Sequence, residues 1–110
     1  MDDLVEKVVS ALKNKGVLDD TYIVFTSDNG YSMGEHRWGA SKKVVYEESV
    51  HVPLVIRGPG IPRGQQRFQL VNNLDLVATL VDWSGVIPRT VLDGRSLQPI
   101  INDAGAHWRT

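Results

Sequence analysis

Asp28 and Asn29 stand side by side at the end of the run Thr21-Tyr22-Ile23-Val24-Phe25-Thr26, and Gly30 follows them. A carboxylate beside an amide carbonyl offers two hard oxygen donors, the kind that Ca²⁺ and Mg²⁺ take. The same triplet is also an ordinary turn, because Asp and Asn bond to their own backbone and tolerate positive φ. On local chemistry alone both readings stand, and the turn is the commoner. The chain has no cysteine among its 110 residues, which removes thiolate nucleophiles, disulfides and Cys-ligated zinc and leaves the redox compartment unreadable.

The elements that must position this pair can be read from hydrophobic spacing. From Asp2 to Lys15, Leu4, Val5, Val8, Val9, Ala11 and Leu12 recur three and four residues apart, with Asp2 or Asp3 placed to cap and Gly16 placed to stop. That is an amphipathic helix. The β-branched and aromatic run Tyr22–Thr26 reads as a strand buried on both faces, opening at its C-terminal end into the Ser27-Asp28-Asn29-Gly30 turn cluster. A helix leading into such a strand is half of an α/β crossover, and ligands in open α/β sheets gather outside the C-terminal ends of strands. Residues 31–49 show no period and read as a long ordered loop, the kind that in compact domains is often functional. Val52–Ile56 is a second strand, with Pro53 suiting its first residues or an edge. The Gly- and Pro-rich stretch 57–64 breaks regular structure, and 73–84 is a second helix capped by Asn72 or Asn73 and stopped at Gly85. A short turn is expected near Ser96–Ile101. The expectation is α/β: one partial domain over residues 1–110, a small sheet flanked by helices near 3–15 and 73–84.

Size and charge narrow the function classes. A chain of 12.2 kDa folded as a free-standing domain would expose about 6,000 Å² against about 17,700 Å² extended. Twelve Lys and Arg against thirteen Asp and Glu leave no basic stripe to drive nucleic-acid binding through counterion release. No apolar run approaches the ~20 residues that span a bilayer, and Met1-Asp2-Asp3 does not begin a basic leader. Neither nucleic acid nor membrane is expected as a partner.

The longer pattern is more specific than the triplet. Phe25-Thr26-Ser27-Asp28-Asn29-Gly30-Tyr31, Gly34-Glu35-His36-Arg37, Lys42, Tyr46-Glu47-Glu48-Ser49, Val52-Pro53-Leu54 and Arg57-Gly58-Pro59-Gly60 follow one another in order. Asn73–Leu80, Gly85 and Leu92-Asp93-Gly94-Arg95-Ser96-Leu97 continue the pattern, so that residues 17–101 are covered. The whole closely resembles the type I (arylsulfatase-like) sulfatases of the alkaline-phosphatase superfamily, sulfuric ester hydrolases that are secreted, periplasmic or lysosomal as a rule. The resemblance implies a partial sulfatase domain in which Asp28 and Asn29 ligate a divalent cation. Ca²⁺ is the implied ion and Mg²⁺ the alternative, because an amide oxygen at the second position suits a hard ion where an imidazole would suit a transition metal. It implies that Lys42, with Lys43 as its adjacent rival, contacts sulfate oxygens; a solvated loop lysine is the other reading. His36 matches a segment lining the substrate entrance, and is either a substrate contact or a loop histidine bonded to backbone. His51 is expected to organise the loop with Glu47 and Glu48, Arg95 to pair with a carboxylate or a helix end, and Trp38 to pack.

The family's nucleophile is a formylglycine made from the Cys or Ser of a Cys/Ser-x-Pro-x-Arg motif. Here there is no cysteine, and no serine is followed by Pro and Arg at the second and fourth positions. The paired aspartates of the family's first strand have no counterpart either. The expectation is therefore a fragment of a sulfatase, inactive by itself and binding Ca²⁺ weakly if at all, with exposed faces prone to self-association. Two other readings remain open: a non-catalytic module that binds sulfated small molecules or carbohydrate, and one half of a split enzyme.

Overall fold

A computed structural model describes residues 1–39 and 41–109. They form two compact units, Met1–Gly60 and a second from Ile61 onward. The first contains α1 (Asp2–Asn14), a 3₁₀ turn (Leu18–Asp20), β1 (Ile23–Thr26), a second 3₁₀ turn (Glu35–Arg37), α2 (Glu47–Val50) and β2 (Leu54–Arg57). The second contains α3 (Asn73–Ser84) and α4 (Gln98–Asn102). A small sheet with four helices is the partial α/β domain that the sequence implies.

The expected first helix is present, with its N-terminus set differently. Met1 is the N-cap and makes no side-chain cap bond, while Asp2 and Asp3 lie in the first turn, where negative charge favours the helix dipole. The C-terminus closes as a Schellman motif: Gly16 N–H donates to Lys13 O (3.0 Å) and Val17 N–H to Leu12 O (3.1 Å). Gly16 has φ +70°, the left-handed turn this motif needs. The expectation that this helix covers the sheet is corrected. None of its residues is buried, and Leu4 and Val8 are 66% and 54% exposed.

β1 and β2 pair antiparallel, Ile23 opposite Arg57 through Thr26 opposite Leu54. β2 starts after Pro53, two residues later than the run Val52–Ile56 suggests, because proline has no N–H for the ladder. β1 is half-buried along its length, which corrects the reading of a strand buried on both faces. Arg57 ties the end of β2 to the first 3₁₀ turn, donating from Nη1 to Leu18 O (2.6 Å) and from Nη2 to Asp19 Oδ1 (2.7 Å).

In the second unit α3 begins with a full capping box. Asn72 Oδ1 accepts from the N–H groups of Leu74 (3.0 Å) and Asp75 (3.2 Å), and Asp75 Oδ2 accepts from Asn72 N–H (2.9 Å). Two of the helix's free N–H groups and the one before it are thereby satisfied. The buried hydrophobic residues among those described, Ala78, Leu97, Ile100, Ile101 and Trp108, all belong to this unit. The chain exposes 8669 Å², well above the roughly 6,000 Å² of a free-standing domain of this mass. No helix among the described residues is long and apolar enough to cross a membrane.

Candidate functional site

β1 delivers Thr26 to the turn that carries the two oxygen donors. Ser27 Oγ donates to Asn29 O (2.8 Å), the local side-chain-to-backbone bond that makes serine a turn residue. Asn29 Nδ2 donates to Gly30 O (2.7 Å). That bond engages one of the two Nδ2 hydrogens and leaves the oxygen end for an acceptor role. Asp28 is exposed and Asn29 half-buried. The donor set fits a hard cation, and among the described residues no group of three or more His, Cys, Asp or Glu could hold one.

The long loop after the turn is folded onto itself at three places. Gly30 N–H donates to Ser49 O (2.9 Å), and a Cβ on Gly30 would fall 2.0 Å from Glu48 O, so this approach of two backbones requires glycine. Further along, Ser32 and Ser41 form an antiparallel bridge, each donating its N–H to the other's carbonyl at 2.9 and 3.0 Å. Between them Glu35 Oε2 accepts from Ser32 Oγ (3.0 Å) and Met33 N–H (2.5 Å). Hydrogen bonds from the Glu35 and Met33 backbone, then from Ser32, hold the Glu35 carboxyl below its ordinary pKa. This is the Ser-x-x-Glu spacing of a capping box, a signal legible in the sequence.

Lys42 follows Ser41 of this bridge, whose partner Ser32 lies three residues after Asn29. Lys42 and Lys43 are both exposed. His36 sits on the second 3₁₀ turn with φ +58°, and Arg37 follows at φ +62°, two non-glycine residues in a costly left-handed conformation. The His36 ring stacks on Tyr46 with centroids 4.0 Å apart and planes at 22°, and its Nε2 lies 3.3 Å from Glu48 Oε2. His51 Nδ1 lies 3.0 Å from Glu47 Oε2, an exposed pair four residues apart. Trp38 is 58% exposed, so the packing role expected for it is corrected.

In the Asp93-Gly94-Arg95-Ser96 segment, Arg95 reaches a carboxylate through its backbone N–H, which donates to Asp75 Oδ1 (2.9 Å). The guanidinium on that oxygen belongs to Arg109, and neither Arg109 nor the buried Trp108, whose indole donates to Leu70 O (2.7 Å), has a signal in the sequence pattern.

Comparison with known proteins bears on this geometry. A profile of the family described as Sulfatase matches residues 1–86. N-acetylglucosamine-6-sulfatase of Homo sapiens is 45% identical over 112 aligned residues that take in 100% of this chain and 20% of that protein. A phosphonate monoester hydrolase from Silicibacter pomeroyi has a TM-score of 0.86 and 39% identity over 98% of this chain and 21% of its own. A structure solved in complex with its substrate D-glucosamine-2-N,6-O-disulfate also has a TM-score of 0.86, with 37% identity over 98% of this chain and 22% of its own. The chain thus spans about a fifth of the length of these relatives. With its match running from α1 through the Asp28-Asn29 turn and both strands into α3, the chain belongs to the sulfatase family.

Proposed function

We propose that this chain is the part of a sulfate-ester hydrolase that supplies Asp28 and Asn29 to a divalent-cation site and Lys42 to the sulfate group, with sulfated carbohydrate as the substrate class. The observation that supports the reading is the hairpin-like loop: the Ser32–Ser41 bridge pairs the residue before Lys42 with one three residues past Asn29. N-acetylglucosamine-6-sulfatase, 45% identical across the chain, and the glucosamine disulfate held by a solved relative support the substrate class.

In this reading Asp28 contributes a charged oxygen and Asn29 a neutral one to Ca²⁺, with Mg²⁺ the alternative. The cation, when bound, offsets the negative charge of the sulfate ester and of the oxyanion that departs from it. The Nδ2 bond to Gly30 O orients the Asn29 amide, and its oxygen is the ligand in this reading. Lys42 gives charge-assisted hydrogen bonds to the sulfate oxygens, which strengthen as charge builds on the transferring group. Its exposure leaves it free to reach an anion. The nucleophile comes from a Cys/Ser-x-Pro-x-Arg motif, which these 110 residues do not contain.

A chimera tests this. The matching fifth of human N-acetylglucosamine-6-sulfatase is replaced by this chain, and hydrolysis of N-acetylglucosamine 6-sulfate is compared with that of the phosphonate monoester phenyl phenylphosphonate. Sulfate-ester turnover is expected, falling about 100-fold or more with Lys42→Ala, the usual cost of losing one donor to a developing oxyanion. A folded chimera that prefers the phosphonate, or that is indifferent to Lys42→Ala, overturns the reading.

A further inference from the structure

The loop that carries Lys42 is fixed at two points, and one of them is a contact between side chains. At the near end the Ser32–Ser41 backbone bridge holds the chain one residue before Lys42. At the far end Tyr46, the residue that opens α2, lies under the His36 ring. Residues 42–45 are therefore a short span strung between two anchors. Glu48 strengthens the second anchor. Its Oε2 is buried with no hydrogen-bond partner among the described residues, and His36 Nε2 lies 3.3 Å from it.

A buried carboxylate oxygen left without a donor costs free energy, and two successive positive-φ residues, His36 and Arg37, cost more. Both costs are offset by one arrangement. The left-handed turn at His36 sets its ring on Tyr46 and brings Nε2 to 3.3 Å from the Glu48 oxygen, within reach of an ion pair. Glu48 is also tied to the site from its other side, since its backbone carbonyl abuts Gly30 next to Asn29.

The geometry points to His36, Tyr46 and Glu48 as a clasp that positions Lys42 beside the Asp28-Asn29 turn. His36 is thus a positioning residue acting through Glu48 and Tyr46. This rests on the sulfatase reading for what Lys42 contacts, and on the structure alone for the clasp.

Amide hydrogen exchange on the 110-residue chain tests the clasp without reference to activity. His36→Phe keeps a ring for stacking and removes Nε2; Glu48→Gln keeps the volume and removes the charge. Each is expected to speed exchange of the Ser32 and Ser41 amides about tenfold while leaving the β1–β2 amides unchanged. The double variant is expected to add nothing further, because the two groups act as one contact. Unchanged exchange at Ser32 and Ser41, or fully additive effects, overturns the proposal. Should both variants unfold, the wild-type chain decides: nuclear Overhauser contacts between the His36 and Tyr46 rings are required, and their absence overturns it. In parallel, sodium sulfate is titrated in the presence of Ca²⁺ and the Lys42 amide shift is followed. A shift in wild type that is lost in both variants supports the coupling of clasp and site. No shift in wild type counts against the role of Lys42, and the exchange result then judges the clasp by itself.

Discussion

Asp75 Oδ1 lies 2.5 Å from Arg109 Nη2, joining the first turn of α3 to the tail 34 residues later, and the Asp75 side chain is fully buried. Four donors converge on or beside this carboxylate's turn: Arg109, the N–H groups of Arg95 and Asn72, and Thr79 Oγ1, which donates to the Asp75 carbonyl at 2.6 Å. Thr79 Oγ1 in turn accepts from Leu97 N–H (2.8 Å). Burial pushes the Asp75 carboxyl up, and the hydrogen bonds from Arg95, Asn72 and Arg109 outweigh it, leaving the group below its ordinary value.

Stability of the second unit should therefore depend on pH in the acid range. A carboxyl whose folded pKa is depressed contributes stability above its unfolded value, about 3.9, and loses it as pH falls through the folded value. Urea unfolding from pH 7 to pH 2.5 is expected to show a falling midpoint below about pH 4, with the fall blunted in Asp75→Asn. An equal slope in both proteins removes Asp75 as the cause.

Arg109→Ala should destabilise the second unit by about 2–3 kcal/mol at pH 7, since it strips one partner from a buried charge. The figure is discounted because the arginine itself is one-third exposed. Asp75→Ala is expected to cost more than Arg109→Ala, because it leaves two backbone N–H groups and a guanidinium without their acceptor. Urea denaturation at neutral pH ranks the two; the reverse order contradicts the assignment.

Gly94→Ala should be among the most damaging single-methyl additions in the chain. A Cβ there would fall 2.1 Å from Leu74 O and 2.7 Å from Asp75 N, so the segment bearing Arg95 N–H must withdraw from α3. About 2–3 kcal/mol is expected, the range of overpacking in a rigid site. Gly105→Ala, where the nearest atom is a side-chain oxygen at 3.4 Å, is the mild control. Thermal unfolding of both variants gives the comparison.

The isolated chain should bind Ca²⁺ weakly, in the millimolar range, because one carboxylate and one amide supply little ligand charge. It should not hydrolyse an aryl sulfate. Calorimetry and a p-nitrophenyl sulfate assay check these. Micromolar Ca²⁺ binding, or turnover abolished by Asp28→Ala, would refute the two-ligand account.

Local signals determined much of this protein from its sequence. The helices, the strand that ends at Asp28, the Asn72 cap and the Gly16 and Gly85 stops rest on periodicity and backbone chemistry within a few residues, so they are legible without a structure. The order of motifs from Phe25 to Leu97 likewise carried the family. Tertiary structure decided what depends on distant partners. No pattern in the sequence says that Ser32 faces Ser41, that His36 turns left-handed toward Glu48, or that Arg109 closes on Asp75, because each contact is chosen by how segments nine to 34 residues apart pack together. The exposed face of α1 makes the same point in reverse: its spacing specifies an apolar stripe, and only the structure shows that Leu4, Val5 and Val8 of it stay exposed.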